Sequence, residues 1–141
     1  MSGVSTKPVV RVGCGAGFWG DSAAGPAQLV RHGALDYLVM DYLAEITMSI
    51  LARMKAGDAD AGYATDFVSA VMKPLLADIA RQGMKVVTNA GGVNPLACKA
   101  ALEKVAADAG IKLRVAAVLG DDLAADLDAL RAAGIVEMDS G

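Results

Sequence analysis

Four short polar segments carry the residue types that could do chemistry. They read GCGAGFWGD, DYLAE, NAGGVNP and GDD, and each follows an apolar run typical of a β-strand. Their glycines can expose backbone N–H groups to a phosphate or carboxylate, and their acids can accept protons or bind metal. The candidate ligand-binding residues in these segments are Gly15, Gly17, Trp19, Asp21, Asn89, Gly91, Gly92, Asn94 and Asp122.

Two acidic residues at the start of a predicted helix form the candidate catalytic pair. Asp41 and Glu45 lie four residues apart, so they share one side of the first helical turn. In that position they could act as a general acid and base, or bind Mg²⁺. They could also only complement the positive end of the helix dipole. Both interpretations stay open, and the sequence assigns no metal ligands.

Several of the other candidates also have a purely structural explanation. Asn94 and Asp122 precede predicted helices, where such side chains cap exposed N–H groups. The adjacent Gly91 and Gly92 could bind an anion at the start of the same helix as Asn94, or simply allow the chain to turn. Trp19 could line a pocket or cover the core.

The cysteine and histidine content argues against nucleophilic catalysis within this chain. Cys14 is predicted to be a small buried residue, and Cys98 lies on the inner face of a predicted helix. The single histidine, His32, is placed at a helix C-terminus, away from the predicted strand ends. A histidine-based triad or zinc site is therefore not expected, and the two separated cysteines do not suggest a disulfide framework.

The stretch GAGFWG matches the G-x-G-x-x-G fingerprint of dinucleotide-binding domains. The acidic residue that the fingerprint requires about 20 positions later is present as Asp41. The predicted first strand ends at Val12, however, and Gly25-Pro26 interrupts the expected phosphate-binding helix. The glycines are therefore predicted to lie in a long loop over 13–25, and a nicotinamide- or flavin-binding oxidoreductase domain is a third interpretation.

These polar segments need a sheet that brings them to one edge. Apolar runs predict strands over 9–12, 35–40, 84–88 and 111–119, with a short fifth strand over 135–138. Helical periodicity predicts helices between them, and Pro74 is expected to kink or split the helix over 66–82. The alternation predicts an α/β fold: a three-layer, doubly wound, mostly parallel sheet of four to five strands with helices on both faces, Rossmann-like or flavodoxin-like. Ligands bind such sheets at the carboxyl ends of the strands.

Composition narrows the class of partner. With 141 residues, the chain is predicted to form a single domain over 9–141 after a flexible N-terminus over 1–8. A net charge of −3 without a basic stripe argues against nucleic acid, and no apolar run is long enough for a membrane span. The lack of a secretory signal and of paired cysteines predicts a cytoplasmic protein that binds a small molecule.

Five segments resemble the bacterial acyclic terpene utilisation family, the AtuA-like proteins. In chain order they are VGCGAGFWGD, LDYLVMDYLAEITMSIL, GYATDF, VVTNAGGVNP and LGDDL. The resemblance implies a role in the breakdown of citronellol- or geraniol-type terpenoids through coenzyme A thioesters, but it implies no particular reaction and no catalytic residues. Members of the family are longer, so the resemblance also implies that this chain is a truncated, N-terminal part of the main domain.

Two hypotheses about function follow. The first is an enzyme, or part of one, that acts on a terpenoid-derived acyl substrate such as a coenzyme A ester, with Asp41 and Glu45 as the candidate pair. The second is a non-catalytic ligand-binding or assembly module. A truncated sheet would leave an edge strand exposed, so self-association into a homo-oligomer is a further hypothesis.

Overall fold

The computed structural model describes residues 9–140 and contains a three-stranded parallel sheet in the order β1-β2-β3. The strands are β1 (Val12–Ala16), β2 (Tyr37–Met40) and β3 (Lys85–Thr88). The α-helices are α1 (Ala24–His32), α2 (Glu45–Gly57), α3 (Lys73–Gln82), α4 (Pro95–Asp108) and α5 (Leu127–Ala132). A π-helical segment, Phe67–Met72, leads into α3, and a 3₁₀ turn, Ala124–Asp126, leads into α5. The predicted flexible segment 1–8 lies outside the described residues.

One face of the sheet is buried and the other is open. Leu38 and Met40 of β2 are fully buried, and Leu38 is in register with the buried Gly13 of β1. Helix α3 contacts both α1 and α4, and the three helices share the hydrophobic core with this face. On the opposite face Val12 and Val87 are 61% and 53% exposed. The predicted α/β class is confirmed, whereas residues 9–140 supply no second helical layer over this open face.

Strand β1 lies further along the chain than predicted. The sequence predicts that it ends at Val12 and that 13–25 form a loop, but the strand runs to Ala16 and the loop covers only 17–23. The glycines belong to the strand because α1 packs closely against it. A Cβ atom at Gly25 of α1 would come within 2.9 Å of the Gly15 carbonyl oxygen. Glycine here permits close helix–strand packing rather than a loop.

The position of Cys14 in β1 is also a correction, because its side chain is exposed rather than buried. Alternate residues of a strand point to opposite faces. Gly13 and Gly15 take the side that faces α1, so Cys14 points to the open face of the sheet. Its Sγ lies 3.4 Å from the carbonyl oxygen of Ala16.

Pro74 divides the third helical region, as predicted. Proline has no N–H group, so it cannot complete the α-helical hydrogen bond to the carbonyl of Ala70. The chain is wound as a wider π-helix over Phe67–Met72 and continues as α3 from Lys73. The π-helical segment is part of the core, since Phe67 and Met72 are both almost fully buried.

The last third of the chain departs most from the prediction. Residues 111–119, predicted as a fourth strand, form no strand ladder, and residues 135–138, predicted as a fifth strand, are exposed without strand structure. The helix predicted between these two runs is reduced to the short, exposed α5. Within residues 9–140, no helix combines the length and the apolar character that a membrane crossing requires.

Candidate functional site

Asn89 joins the loops that follow β2 and β3. Its side-chain Nδ2 donates to Asp41 Oδ1 at 2.7 Å, and its Oδ1 accepts from the backbone N–H of Tyr42 at 2.7 Å. The Asp41 N–H donates to the carbonyl of Ala16 at the end of β1. Two of the predicted site residues, Asp41 and Asn89, are therefore held together at the carboxyl ends of the parallel strands.

Asp41 is held in its ionised form. The amide of Asn89 and, to a smaller extent, the N–H of Leu43 lower the pKa of the Asp41 carboxyl below its ordinary value. Glu45 lies exposed in the first turn of α2, and no hydrogen bond joins it to Asp41 in the described part of the chain. Asp41 can therefore accept a proton or a hydrogen bond, but near neutral pH it has no proton to give.

Asp41 and Glu45 are not part of a larger metal-binding cluster among the described residues. Asp41 Oδ1 already accepts hydrogen bonds from two donors. Across residues 9–140, no three His, Cys, Asp or Glu side chains are grouped so that they could hold a metal ion. The alternative role of Glu45, at the positive end of the α2 dipole, agrees with its place in the first turn.

In the loop after β1, the side chain of Asp21 accepts hydrogen bonds from backbone N–H groups of the same loop. Asp21 accepts hydrogen bonds from the N–H groups of Gly17 and Ser22 at 3.0 and 2.7 Å, and these bonds lower the pKa of its carboxyl. The Gly17 N–H is therefore engaged within the loop. The dinucleotide fingerprint is not reproduced, because Gly15 lies inside β1 and residues 21–23 separate Gly20 from α1.

Trp19 fastens this loop to a distant part of the chain. Its indole Nε1 donates to Asp66 Oδ1 at 2.8 Å, immediately before the π-helical segment. The ring is partly buried against the hydrophobic core. Of the two roles predicted for Trp19, its environment agrees with covering the core. Its hydrogen bond to Asp66 was not predicted from the sequence.

Replacing Asp66 by alanine is expected to release Trp19. Loss of this hydrogen bond to a charged acceptor should lower the free energy of unfolding by about 1 kcal/mol and expose the indole to water. Because Trp19 is the only tryptophan, the emission of the chain reports on the environment of this one indole. We expect a red shift of the emission in Asp66→Ala and none in Asp66→Asn, whose amide oxygen still accepts the bond. Equal spectra for the two variants would contradict this role.

Asp21, Asp66 and Tyr42 line a small pocket of about 30 Å³ beside the end of β1. Burial raises the pKa of the Tyr42 hydroxyl to about 12, with smaller contributions from the carboxylates of Asp66 and Asp21. The hydroxyl therefore stays protonated and remains a hydrogen-bond donor. A pocket of this volume has room for about one water molecule and not for an organic substrate.

The glycines after β3 serve the chain's own geometry. Gly92 has a φ of +53°, and its N–H donates to the Asn89 carbonyl at 3.0 Å. A Cβ atom at Gly91 would come within 2.9 Å of Pro95. Asn94 caps α4, accepting from the N–H of Ala97. Its amide donates to the carbonyls of Ala59 and Ala61 in the loop that follows α2. The Gly92 N–H is thus not free for an anion in this structure.

Lys55 links the loop after β3 to the 120–124 segment. Its Nζ donates to the Val93 carbonyl at 2.7 Å and lies 3.9 Å from a carboxylate oxygen of Asp122. The other Asp122 oxygen accepts from the N–H of Ala124. The predicted capping role is not observed, because the N-cap positions belong to Leu123 for the 3₁₀ turn and to Asp126 for α5, and no side chain caps either element. Lys55 was not identified from the sequence, because it lies near the C-terminal end of α2 and far from either loop along the chain.

A cleft of about 930 Å³ opens around the free edge of β3, between α4 and the segment 113–121. Much of its wall is apolar and includes Leu102, Leu113 and Val115. At the carboxyl end of β3 the wall becomes polar, with Thr88 of the strand itself and with residues from two predicted polar segments: Asn89, Gly91, Gly92, Gly120 and Asp121. Of the candidate residues in the first polar segment, only Asp21 lines the small pocket and none lines the cleft, so the predicted single site is divided.

A family model described as acyclic terpene utilisation family protein AtuA matches residues 10–141. The chain belongs to the AtuA family. Neither the curated proteins nor the solved structures contain a significant match. The region that matches the AtuA model includes all three strands, the small pocket and the whole cleft.

Three residues of this AtuA-family chain that shape the site were missed from the sequence. Tyr42 and Asp66 line the small pocket, and Lys55 bridges two loops. Tyr42 directly follows Asp41, so an aromatic residue beside a strand end was the available signal. Asp66 and Lys55 act through partners distant in the sequence, and local patterns carry no information on such partners.

Proposed function

We propose that this AtuA-family chain is an enzyme, or a component of one, that binds a terpenoid-derived acyl group in the cleft beside β3. The acyl group is acyclic and branched, of the citronellol or geraniol type, and carries a carboxylate or a coenzyme A thioester. The observation that supports the proposal is the combination of an apolar wall with a polar end in one cleft of about 930 Å³. Small-molecule sites have volumes of about 300–1,000 Å³ and the same mixture of surfaces.

The charges around the cleft favour an anionic ligand. Lys85, Lys99 and Arg114 contribute to its lining, against the single acid Asp121. Lys99 is paired with Glu103 at 2.9 Å, whereas no ion pair of Arg114 is formed with the described residues. An apolar chain with a carboxylate, or with the phosphates of coenzyme A, complements such a lining better than a neutral alcohol does.

Asp41 is the proposed base of this site. Its Oδ1 accepts a hydrogen bond from the amide of Asn89, which lines the cleft. The carboxylate is ionised and can accept a proton, although the lowered pKa makes it a weak base. The thiol in the cleft wall is not a suitable nucleophile, because burial raises the pKa of Cys98 to about 11. This lack of an activated thiol favours the second candidate, a non-catalytic binding module, and turnover of a bound thioester distinguishes the two.

Calorimetric titration with citronellic acid and with its coenzyme A thioester tests the cleft. Val87 lines the cleft and is 53% exposed, so Val87→Glu should fold and place a carboxylate in the apolar wall. We expect affinity to fall at least about tenfold, equivalent to about 1.4 kcal/mol.

The matched control for this titration is Ile46→Glu, which changes the net charge equally. Ile46 is 72% exposed on α2, outside the cleft. Its affinity should equal that of the unmodified chain. Equal losses in the two variants, or no binding by the unmodified chain, would contradict the proposed site.

A further inference from the structure

The outer edge of β3 has no strand beside it among the described residues. β3 pairs with β2 on one side only, and its other side faces the cleft. Lysine side chains often protect such an edge, but Lys85 is turned back over the sheet: its Nζ lies 3.0 Å from the Tyr37 hydroxyl and 4.9 Å from the centre of that ring. The backbone groups along this edge are therefore accessible to a further strand.

The opposite wall of the cleft is the segment 111–118, which has the burial pattern of a β-strand but forms no hydrogen-bonded ladder with β3. From Ile111 to Val118, residues alternate between half-buried and exposed, which is the period of a β-strand. Ile111, Leu113 and Val115 already pack against the core. The segment is fixed at its beginning by the Ile111 N–H, which donates to the Ala106 carbonyl. Beyond that point, residues 112–119 form no ladder with β3.

The connection between these two walls is of the right kind for parallel pairing. Helix α4, of 14 residues, follows β3 and leads directly into the segment. A strand, a crossover helix and a second parallel strand form the common βαβ unit, whose backbone groups pair along adjacent edges. Unpaired backbone groups at a partly buried position cost free energy, so pairing would be stabilising.

We propose that residues 112–118 close onto β3 as a fourth parallel strand, and that the described arrangement is the open form of this device. The half-buried side chains already face the core, so closure needs a lateral movement of the segment and no reversal of its faces. Because the segment is a wall of the cleft, closure narrows the cleft, and a ligand inside it holds the segment open. This coupling to ligand rests on the proposed function, whereas closure itself does not.

Hydrogen exchange of the ligand-free chain tests closure without any ligand. We expect the amides of residues 112–118 to exchange at least about tenfold more slowly than in an unstructured peptide, because a transient ladder protects them. Exchange at unstructured rates throughout the segment would overturn the proposal. Addition of citronellic acid should then remove the protection. Protected amides with no ligand binding would contradict only the proposed function, and binding that leaves the protection unchanged would overturn the coupling.

A pair of proline variants provides the control. Ala116→Pro and Ala117→Pro remove equally small side chains and one N–H group each. In a parallel ladder, adjacent residues point their N–H groups to opposite sides, so only one of the two prolines removes a bond to β3. We expect one variant to lose the protection of the segment and the other to retain it. An equal effect of the two prolines would show that no ladder forms.

Discussion

Replacing Gly92 by alanine is expected to lower the free energy of unfolding by about 3 kcal/mol, measured by urea denaturation. Two costs add. The residue has a φ of +53°, which costs a side chain about 1 kcal/mol or more. The new Cβ atom would also overlap the side chain of Leu51 and come within 2.8 Å of the Gly62 carbonyl oxygen, and such overpacking costs about 1–3 kcal/mol.

Gly110→Ala is the matched control for this prediction. Gly110 has a φ of +66°, close to that of Gly92, but no atom lies within 4 Å of a Cβ atom placed there. The control variant should lose only the backbone term, about 1 kcal/mol. Equal losses at the two positions would show that the contact between α2 and the loop after β3 is looser than the structure has it.

Replacing Asn89 by alanine is the second change with a large expected effect, a loss of about 2 kcal/mol of stability. The substitution leaves the N–H of Tyr42, at a partly buried position, without its acceptor. It also removes the amide that lowers the pKa of Asp41. Urea denaturation at neutral pH measures the loss, and an unchanged stability would contradict the role of Asn89 as the link between the two loops.

The pH dependence of the Asn89 variants is a sharper test. The lowered pKa of Asp41 gives stability that is present above its ordinary value of 3.8 and is lost as the pH falls towards the folded-state pKa. In Asn89→Ala, the free energy of unfolding that is lost between neutral and acidic pH should be smaller than in the unmodified chain. Asn89→Asp keeps an acceptor for Tyr42 but places two carboxylates together, which raises the pKa of one of them. Its stability should instead increase as the pH falls through that raised pKa.

Local sequence patterns were sufficient for the elements whose neighbours lie close along the chain. The apolar runs over 35–40 and 84–88 contain β2 and β3. Consecutive apolar residues are typical of strands in a parallel sheet, of which β2 is the central one here. Asn94 followed by Pro95 marked the start of α4 correctly, since capping is a local hydrogen bond. Pro74 likewise showed where the helix is divided.

The features that were missed depend on partners elsewhere in the chain. The glycines of β1 resembled a loop because nothing near them in the sequence shows that Gly25 of α1 packs on Gly15. The division of the site was hidden for a similar reason, since Trp19 binds Asp66 across 47 positions. Residues 111–119 have the alternation of a strand, but a ladder also depends on how the segment lies against β3, on the other side of α4, and alternation carries no information on that position.

The π-helical segment before α3 contributes side chains to both cavities. Ala70 and Val71 line the small pocket, while Phe67 and Met72 line the cleft. One residue of extra winding turns a helical side chain by about 100° around the axis. The direction of each side chain in this segment therefore depends on its π-helical winding. A change of this segment to a regular α-helix would rotate its side chains, and it would therefore alter the linings of both cavities together.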